Sequence, residues 1–394
     1  MKKIILLLIL LVNYAFAQPK NNELAPDIDF KTILNAPVNN INLSQLRGKI
    51  VLIDFWATWC GSCIEAMPHL KQLQNKYPND LQVITVTGET NKRISQYLKV
   101  KPSNLWFAID TNYYISKLFP HQLIPHSVLI SQDGKLIANT IPQSVTESVI
   151  DSIISNKKVH LVEKQDKLIS HDDLIKTYFF AEDTVKSRFM IQPEIQGTAA
   201  ISTRYLNDNV FKGRRITCIN VSLSRLYTIA FGDFPYSRVI NNIPKDHKEQ
   251  VYCLDLIVEN KKDLLPILRQ HLLKKFDIQA KIEQQNRDVE VLKIQDLKKF
   301  NKIPLNKSGI RTYYSSHGEI NQQSITMHDF AGYLEDYGVG KLPVIDATGV
   351  NKKFDIKFSF QPESPESLIK VLNTIGLSLE RSKKKIDMLV LFKQ

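Results

Sequence analysis

The first 155 residues alternate between apolar runs and segments in which apolar positions recur at helical spacing. Residues 50–55 are almost uniformly apolar, which is typical of a strand covered on both faces of a sheet. A helical pattern begins at Cys60, contains Pro68 and ends near Tyr77. Further strands and helices follow, and residues 132–134 (Gln-Asp-Gly) are a strong hairpin turn signal. The pattern predicts an α/β domain with a central mixed sheet and helices on both faces.

The second half of the chain repeats a unit of strand, capping residue and helix. The unit first spans residues 215–231, recurs around residues 324–330 and begins a third time at Ser364, where Pro365 suits the first helical turn. Residues 156–185 predict a linker with a short helix. We therefore predict a second, α+β domain of repeated βαβ-like units over residues 186–394.

Four of the predicted strands of this second domain lie in two pairs, and a polar segment separates the two strands of each pair. They are residues 277–283, 289–294, 377–381 and 388–392. A solvated hairpin turn is predicted between the last two strands, at Lys383, Lys384 and Lys385.

The first 17 residues have the pattern of a secretory signal peptide. Lys2 and Lys3 form a positive n-region, residues 4–12 an apolar h-region, and residues 15–17 (Ala-Phe-Ala) a small-x-small cleavage site. The apolar run is short for a permanent membrane-spanning helix, and an uncleaved anchor is the alternative. We expect a mature chain that begins at Gln18, works in the periplasm or elsewhere in the extracytoplasmic cell envelope, and is not an integral membrane protein.

Composition excludes two classes of protein. The chain has 394 residues and a formal net charge of +12, carried by lysines spread along its length. It has no arginine-rich arm and no basic stripe interleaved with aromatic residues, so nucleic acid is not an expected partner. Four cysteines in an exported chain of this length are too few for a disulfide scaffold.

The segment Cys60-Gly61-Ser62-Cys63 carries the clearest chemistry of the chain. Cys60 falls at the first turn of a helix, where unpaired N–H groups and the helix dipole stabilise a thiolate and lower its pKa. Cys63 lies on the same helix face and can close a disulfide with Cys60. A zinc site and an inert disulfide are the alternatives, but zinc requires four ligands, and Cys218 and Cys253 are isolated. The pattern favours a redox dithiol, with no metal and no cofactor expected.

Several short motifs accompany these cysteines. They are residues 42–49, residues 54–63 with the sequence Asp-Phe-Trp-Ala-Thr-Trp-Cys-Gly-Ser-Cys, residues 67–68, Thr87-Gly88-Glu89 and Leu123-Ile124-Pro125. In these motifs, and over about residues 24–155, the first domain resembles the thioredoxin fold. More narrowly, it resembles the extracytoplasmic TlpA/ResA-like thiol–disulfide oxidoreductases, and we expect residues 18–155 to form such a domain.

The resemblance implies a substrate groove around the dithiol. Pro125 matches the cis-proline of this family, which exposes the backbone of Ile124 to an extended substrate, whereas an ordinary trans proline is the alternative. Trp59 would cover the disulfide and offer an apolar docking face. Gly61 and Ser62 would line the groove, and they depart from thioredoxins in lacking the proline frequent between the two cysteines.

Two acids and a histidine complete the candidate site. Asp54, six residues before Cys60, matches the buried carboxylate of thioredoxins, and Glu89 matches an acid that ResA-like proteins place near the active site. Burial would raise either pKa, and either acid would then shuttle the proton of Cys63. For Glu89 the alternative is a solvated residue at a helix start. His126 would either stabilise the thiolate or be a partly exposed residue at the start of a strand.

The second domain resembles a C-terminal domain of unknown function that is abundant in proteins of soil bacteria. The similar segments are residues 220–223, 343–349, 354–356 and 372–380. This resemblance implies no known activity. It leaves open whether residues 186–394 dock a partner.

Few residues of the second domain suggest chemistry. Cys218 and Cys253 fall in predicted strands, and they form either a structural disulfide or two buried free thiols. His317, His328 and Asp329 are imaginable metal ligands, but scattered polar residues around a turn and a helix start explain them better.

The predicted function is an exported protein-disulfide reductase that acts through Cys60 and Cys63. Its partners would be disulfide-containing proteins of the cell envelope, among them apocytochromes as the resemblance implies, and an upstream electron donor. The alternative is an envelope binding or docking protein, or a redox sensor, in which residues 186–394 have the main role. A peroxidase is disfavoured because such enzymes need a lone cysteine in a different loop context.

Overall fold

The structure, a computed structural model, describes residues 19–244, 250–316, 318–337 and 341–393. The predicted signal peptide, residues 1–17, lies outside these ranges. The described chain divides into two units. The first comprises the residues up to Arg93 together with Ser103–Lys164, and the second comprises Ile94–Pro102 and the residues from Gln165 onward.

The elements of the first part of the chain follow the predicted order. Its strands are β1 (Asp29–Phe30), β2 (Ile33–Leu34), β3 (Ile41–Asn42), β4 (Ile50–Phe55), β5 (Leu81–Thr87), β6 (Trp106–Ile109), β7 (His126–Ile130) and β8 (Leu136–Thr140). Its helices are α1 (Gly61–Lys76), α2 (Asn91–Val100), α3 (Tyr114–Leu118) and α4 (Glu147–Ile154).

One mixed sheet organises the first unit. Its strand order is β2-β6-β5-β4-β7-β8, with β4 parallel to β5 and antiparallel to β7. Every residue of β4 and of β5 is buried, so both faces of the sheet are covered at its centre. The predicted α/β domain with a mixed central sheet is confirmed. Because β4 is central, fully buried and followed by α1, the segment that joins them is anchored at the core of the sheet.

The second unit contains strands and helices in a repeated order. Its strands are β9 (Arg188–Pro193), β10 (Ile201–Arg204), β11 (Arg215–Ser222), β12 (Val239–Asn242), β13 (Val251–Ile257), β14 (Ile278–Ile294), β15 (Thr312–Ser316), β16 (Glu319–Ile325), β17 (Val344–Asp346), β18 (Phe354–Ser359) and β19 (Leu377–Lys393). Its helices are α5 (His171–Phe179), α6 (Leu223–Ala230), α7 (Leu264–Lys275), α8 (Leu297–Phe300), α9 (Met327–Tyr337) and α10 (Pro365–Thr374).

Two copies of one arrangement make up most of the second unit. In the first, β11 leads to α6, and β13 leads through α7 into β14; in the second, β16 leads to α9, and β18 leads through α10 into β19. The pairing of β11 with β13 and that of β16 with β18 are both interrupted at a residue with positive φ, Asn220 at 50° and Ser324 at 57°. Moreover, β12 runs parallel to β19, as β17 does to β14. The predicted repetition is therefore confirmed, but in two copies. The helix predicted to begin a third unit at Ser364 is the second helix of the second copy.

The two longest strands of the second unit correct a prediction. Strands β14 and β19 pair antiparallel along all 17 residues of each, where the sequence predicted two short strands apiece. The turn predicted at Lys383–Lys385 is wrong, because these lysines lie in mid-strand opposite residues 286–288. The ribbon passes from a core that contains Ile278 to a core that contains Leu292. Its polar middle needs no burial, and this is why it resembled a turn.

Cys218 and Cys253 are free thiols, so the predicted disulfide alternative is wrong. Their strands β11 and β13 are neighbours, but Cys218 lies opposite Leu254. Because successive residues of a strand point to opposite faces, the side chain of Cys253 lies on the other face of the sheet. There its thiol donates a hydrogen bond to the Asn220 side-chain oxygen at 3.1 Å.

The weak metal candidates do not converge in the described part of the chain. Asp329 caps the start of α9, where its carboxylate accepts from the backbone N–H and hydroxyl of Thr326 and pairs with Arg311. His317 lies outside the described residues. Within the described ranges, no group of three or more histidines, cysteines and carboxylates is placed to hold a metal ion.

Candidate redox site

The two cysteines lie where β4 ends and α1 begins. They are joined as a disulfide, with their Cα atoms 5.2 Å apart. Cys60 is the N-cap residue of α1, and its sulfur accepts a hydrogen bond from the backbone N–H of Cys63 at 3.2 Å. Cys63 is fully buried, whereas Cys60 keeps 6% of its surface exposed. An incoming thiol therefore reaches the sulfur of Cys60 first.

The environment of Cys60 suits a thiolate in the reduced state. The helix N-terminus directs unpaired N–H groups at the sulfur, which favours negative charge there. The Ser62 hydroxyl lies 3.5 Å from the Cys60 sulfur and can donate to it. Gly61 and Ser62 are both exposed, and no atom lies within 4 Å of the position that a Cβ of Gly61 would take. The surface in front of the disulfide is therefore open on this side.

The backbone of Ile124, two residues before the start of β7, lies beside the disulfide. The Ile124–Pro125 peptide bond is cis, as predicted. The carbonyl oxygen of Ile124 lies 3.8 Å from the Cys60 sulfur. The structure thus brings together Cys60 and the Ile124–Pro125 segment, which are far apart in the sequence.

The two tryptophans of the motif have different environments. Trp56 is buried and meets Phe107 edge-on, with ring centroids 5.6 Å apart. Trp59 directly precedes Cys60 and keeps 66% of its surface exposed. An indole this exposed beside a disulfide is available to contact another molecule.

Glu89 holds the loop that carries the cysteines. Its carboxylate accepts hydrogen bonds from the backbone N–H of Thr58 at 2.6 Å and from the Thr58 hydroxyl at 2.7 Å. The Arg93 guanidinium lies 3.9 Å from the same carboxylate and donates to the Thr58 hydroxyl. Glu89 is buried, so it is not a solvated residue at a helix start. These contacts give it a positioning role, and its part in proton transfer stays a prediction.

Asp54 is a buried carboxylate in the middle of the sheet. It lies on β4 opposite Ser127 of β7, whose hydroxyl donates to Asp54 Oδ1 at 2.7 Å. Burial raises the pKa of Asp54 to about 7, although the hydrogen bond from Ser127 lowers it in part. Such a carboxyl group can take up and release a proton near neutral pH.

His126 is buried, which corrects the expectation of a partly exposed residue. It lies opposite Phe55 across the β4–β7 pair, and its ring stacks on that of His121 with centroids 4.7 Å apart. A side chain in this interior position does not line an open groove. Its predicted contact with substrate is therefore not supported by the structure.

Comparison with known proteins agrees with this geometry. Residues 20–154 match the family described as Redoxin. Residues 20–154 are a redoxin domain. Its sheet, its cysteines at the start of α1 and its cis-proline form the thioredoxin-like fold that the sequence predicted. Residues 227–393, in the second unit, match a family described as a protein of unknown function (DUF3738). The predicted fusion of a thioredoxin-like domain to a C-terminal domain of unknown function is confirmed.

Individual relatives resemble the redoxin domain. The thiol-disulfide oxidoreductase ResA of Bacillus cereus is 27% identical over 136 residues, which are 34% of this chain and 79% of the relative. The thioredoxin-like protein YneN of Bacillus subtilis (strain 168) is 40% identical over 62 residues, or 16% of this chain and 35% of the relative. The solved thioredoxin domain of thiol-disulfide oxidoreductase BVU-2223 from Bacteroides vulgatus is 19% identical, with a TM-score of 0.29, and covers 35% of this chain and 96% of its own.

The redoxin domain makes this chain an oxidoreductase, and its Cys60–Cys63 disulfide is the group that can change oxidation state. Sequence reasoning missed two residues at the site. Ser127 donates a hydrogen bond to Asp54. The sequence indicated this residue only through its hydroxyl group and its position two residues after Pro125. Tyr113 packs against Gly88, the residue before Glu89. No pattern in the sequence around Tyr113 indicates this contact, because it arises only from the fold.

Proposed function

We propose that the redoxin domain reduces disulfide bonds of proteins outside the cytoplasm by thiol–disulfide exchange. One observation carries this proposal: the sulfur of Cys60 lies at a helix N-terminus and against the backbone of the Ile124–Pro125 segment. The first contact favours a thiolate nucleophile. The second offers a polypeptide backbone beside the reacting sulfur, which an extended substrate chain can pair with.

The exchange takes two steps. In the reduced domain, the Cys60 thiolate attacks one sulfur of the substrate disulfide; a Cys60–substrate bond forms, the substrate S–S bond breaks, and the other substrate sulfur leaves as a thiolate that takes up a proton. Cys63 then loses its proton and attacks Cys60, which releases the second substrate thiol. The substrate gains two electrons, and the Cys60–Cys63 disulfide re-forms. An upstream dithiol must return the domain to its reduced state.

Asp54 is the proposed acceptor of the Cys63 proton in the second step. It lies on the strand that leads to the dithiol, and its raised pKa of about 7 suits proton uptake at neutral pH. Ser127 holds the carboxylate in place.

The proposed location outside the cytoplasm rests on the signal-peptide pattern of residues 1–17. The described part of the chain contains no helix that is both long enough and apolar enough to cross a membrane.

A turnover assay tests the proposal. The full chain, with dithiothreitol as reductant, is expected to reduce the disulfides of insulin many times faster than dithiothreitol alone, as measured by the precipitation of the free B chain. Thiol titration in the same samples gives the oxidation state of Cys60 and Cys63. A dithiol that is fully reduced but gives no acceleration would contradict the proposal and favour a binding protein or a redox sensor.

A further inference from the structure

Tyr113 is an exposed aromatic residue in an unusual backbone conformation. Its φ is 57°, in the left-handed region, and 58% of its surface is exposed. An aromatic residue rarely adopts this conformation, because its Cβ crowds the backbone. A residue kept in such a state on the surface points to a function for the exposed side chain.

The loop that carries Tyr113 is rigidly held. The Asp110 carboxylate accepts hydrogen bonds from the backbone N–H groups of Tyr114, Ile115 and Ser116, at 2.8 to 3.1 Å, and from the Ser116 hydroxyl. The backbone N–H of Tyr113 donates to the Asp110 carbonyl at 2.9 Å. The backbone from which the Tyr113 side chain projects is therefore held in place by hydrogen bonds.

The ring of Tyr113 lies against Gly88. A Cβ placed on Gly88 would be 2.7 Å from Cε1 of the ring and 3.1 Å from its hydroxyl oxygen, so only glycine leaves room for it. Gly88 directly precedes Glu89, which binds Thr58, and Thr58 directly precedes Trp59. Strands β4, β5 and β6 are parallel neighbours, so their carboxyl ends lie at one edge of the sheet. Trp59 and the disulfide follow the end of β4, Gly88 follows β5, and Tyr113 follows β6. The two exposed rings therefore lie at the edge of the sheet that carries the disulfide.

We propose that Tyr113 is a substrate-docking residue that contacts the polypeptide beside the disulfide of a protein substrate. This inference rests on the proposed function and adds a determinant of substrate class. Trp59 directly precedes Cys60, whereas Tyr113 follows β6, which lies two strands away from β4 in the sheet. Two strand spacings are about 10 Å, so an extended substrate chain must span about three residues to reach Tyr113. Exposed, preorganised aromatic side chains supply contact area at low entropic cost, and they are frequent energetic anchors of interfaces. A small disulfide has no atoms to place on Tyr113.

Two substrates separate docking from chemistry. Steady-state kinetics are measured with insulin and with 2-hydroxyethyl disulfide for the wild-type chain, Tyr113→Ala, Tyr113→Phe and Tyr114→Ala. Tyr114 is a matched control, because it is the adjacent tyrosine and is also exposed. We expect Tyr113→Ala to raise KM for insulin about 5- to 10-fold, with kcat unchanged. Turnover of 2-hydroxyethyl disulfide stays at the wild-type rate, and Tyr113→Phe and Tyr114→Ala behave as wild type with both substrates.

Gly88→Ala provides an independent test. Its Cβ would displace the Tyr113 ring, so we expect the same rise of KM for insulin. In the Tyr113→Ala background, where there is no ring to displace, Gly88→Ala has no additional effect.

The inference is overturned if KM for insulin is the same in Tyr113→Ala and wild type, or if both substrates slow equally, which indicates a structural role. Additive effects of Gly88→Ala and Tyr113→Ala would also overturn it. These outcomes leave the proposed function intact, since the wild-type chain still turns over both disulfides. A wild-type chain that turns over neither disulfide overturns both.

Discussion

Replacing Cys60 with serine is expected to lower kcat/KM for insulin reduction by about a thousandfold or more. The hydroxyl of serine is a far weaker nucleophile than a thiolate and cannot form a mixed disulfide, so the first step is lost. The other thiols cannot take its place. Cys218 and Cys253 are buried, and burial raises the pKa of Cys218 to about 11 and raises that of Cys253 as well.

Cysteine variants outside the site serve as controls for this prediction. Cys218→Ala and Cys253→Ala remove thiols that lie outside residues 20–154. Both variants are expected to keep the wild-type rate of insulin reduction. Cys63→Ser keeps the attacking thiol but cannot release the substrate intramolecularly, so its turnover falls about as far as that of Cys60→Ser. A Cys60→Ser variant that retains a tenth of the wild-type rate would show that another group carries the exchange.

Replacing Asp54 with asparagine is expected to stabilise the oxidised redoxin domain by about 4 kcal/mol at pH 8. The pKa of Asp54 rises from 3.8 to about 7 on folding, because the charged carboxylate is buried. Between these two values the folded state holds a proton that the unfolded state has released. Stability therefore falls as the pH rises through this range, and above pH 7 the full cost remains, since each pKa unit corresponds to about 1.4 kcal/mol. Asparagine carries no charge and avoids this cost.

The stability gained by Asp54→Asn should increase as the pH rises. At pH 5 most of the cost has not yet developed, and we expect a gain of only about 1–2 kcal/mol. Urea unfolding followed by tryptophan fluorescence measures this in the full chain, because all three tryptophans, Trp56, Trp59 and Trp106, lie in the redoxin domain. Asp80→Asn, a partly exposed carboxylate in the same domain, is the control and should change stability little at either pH. A gain for Asp54→Asn that is equal at pH 5 and pH 8 would contradict a titrating buried carboxylate.

The same variant links stability to the reaction. An asparagine cannot take up the proton of Cys63, so the domain that is more stable at pH 8 is also expected to resolve its mixed disulfide more slowly. A costly buried charge that is retained in a catalytic strand is consistent with a functional requirement for it.

Much of the redoxin domain was predictable because its signals are local. The apolar run of β4 and the cysteine spacing at the start of α1 depend on neighbouring residues alone. Ser127 and Tyr113 were missed for the opposite reason. Their importance arises from pairing across the sheet and from a loop packed against Gly88, and neither contact leaves a periodic pattern in the sequence.

In the second unit, too, the sequence did not predict features that depend on pairing between distant segments. The polar middle of β14 and β19 lies between two cores, so its composition is that of a turn although its backbone is fully paired. Likewise, the sequence predicts strands at Cys218 and Cys253, but it gives neither the pairing of those strands nor their register. A shift of one residue decides whether two side chains meet or point to opposite faces.

Trapping the mixed disulfide between Cys60 and a substrate tests the proposed exchange most directly. Reduced Cys63→Ser is mixed with a protein disulfide, quenched with acid, and mapped by mass spectrometry of non-reduced peptides. Exchange through Cys60 predicts a stable mixed disulfide in which the substrate cysteine is bonded to Cys60, formed with up to one substrate per Cys63→Ser chain. Absence of any adduct, or an adduct at Cys218 or Cys253 instead of Cys60, would contradict it.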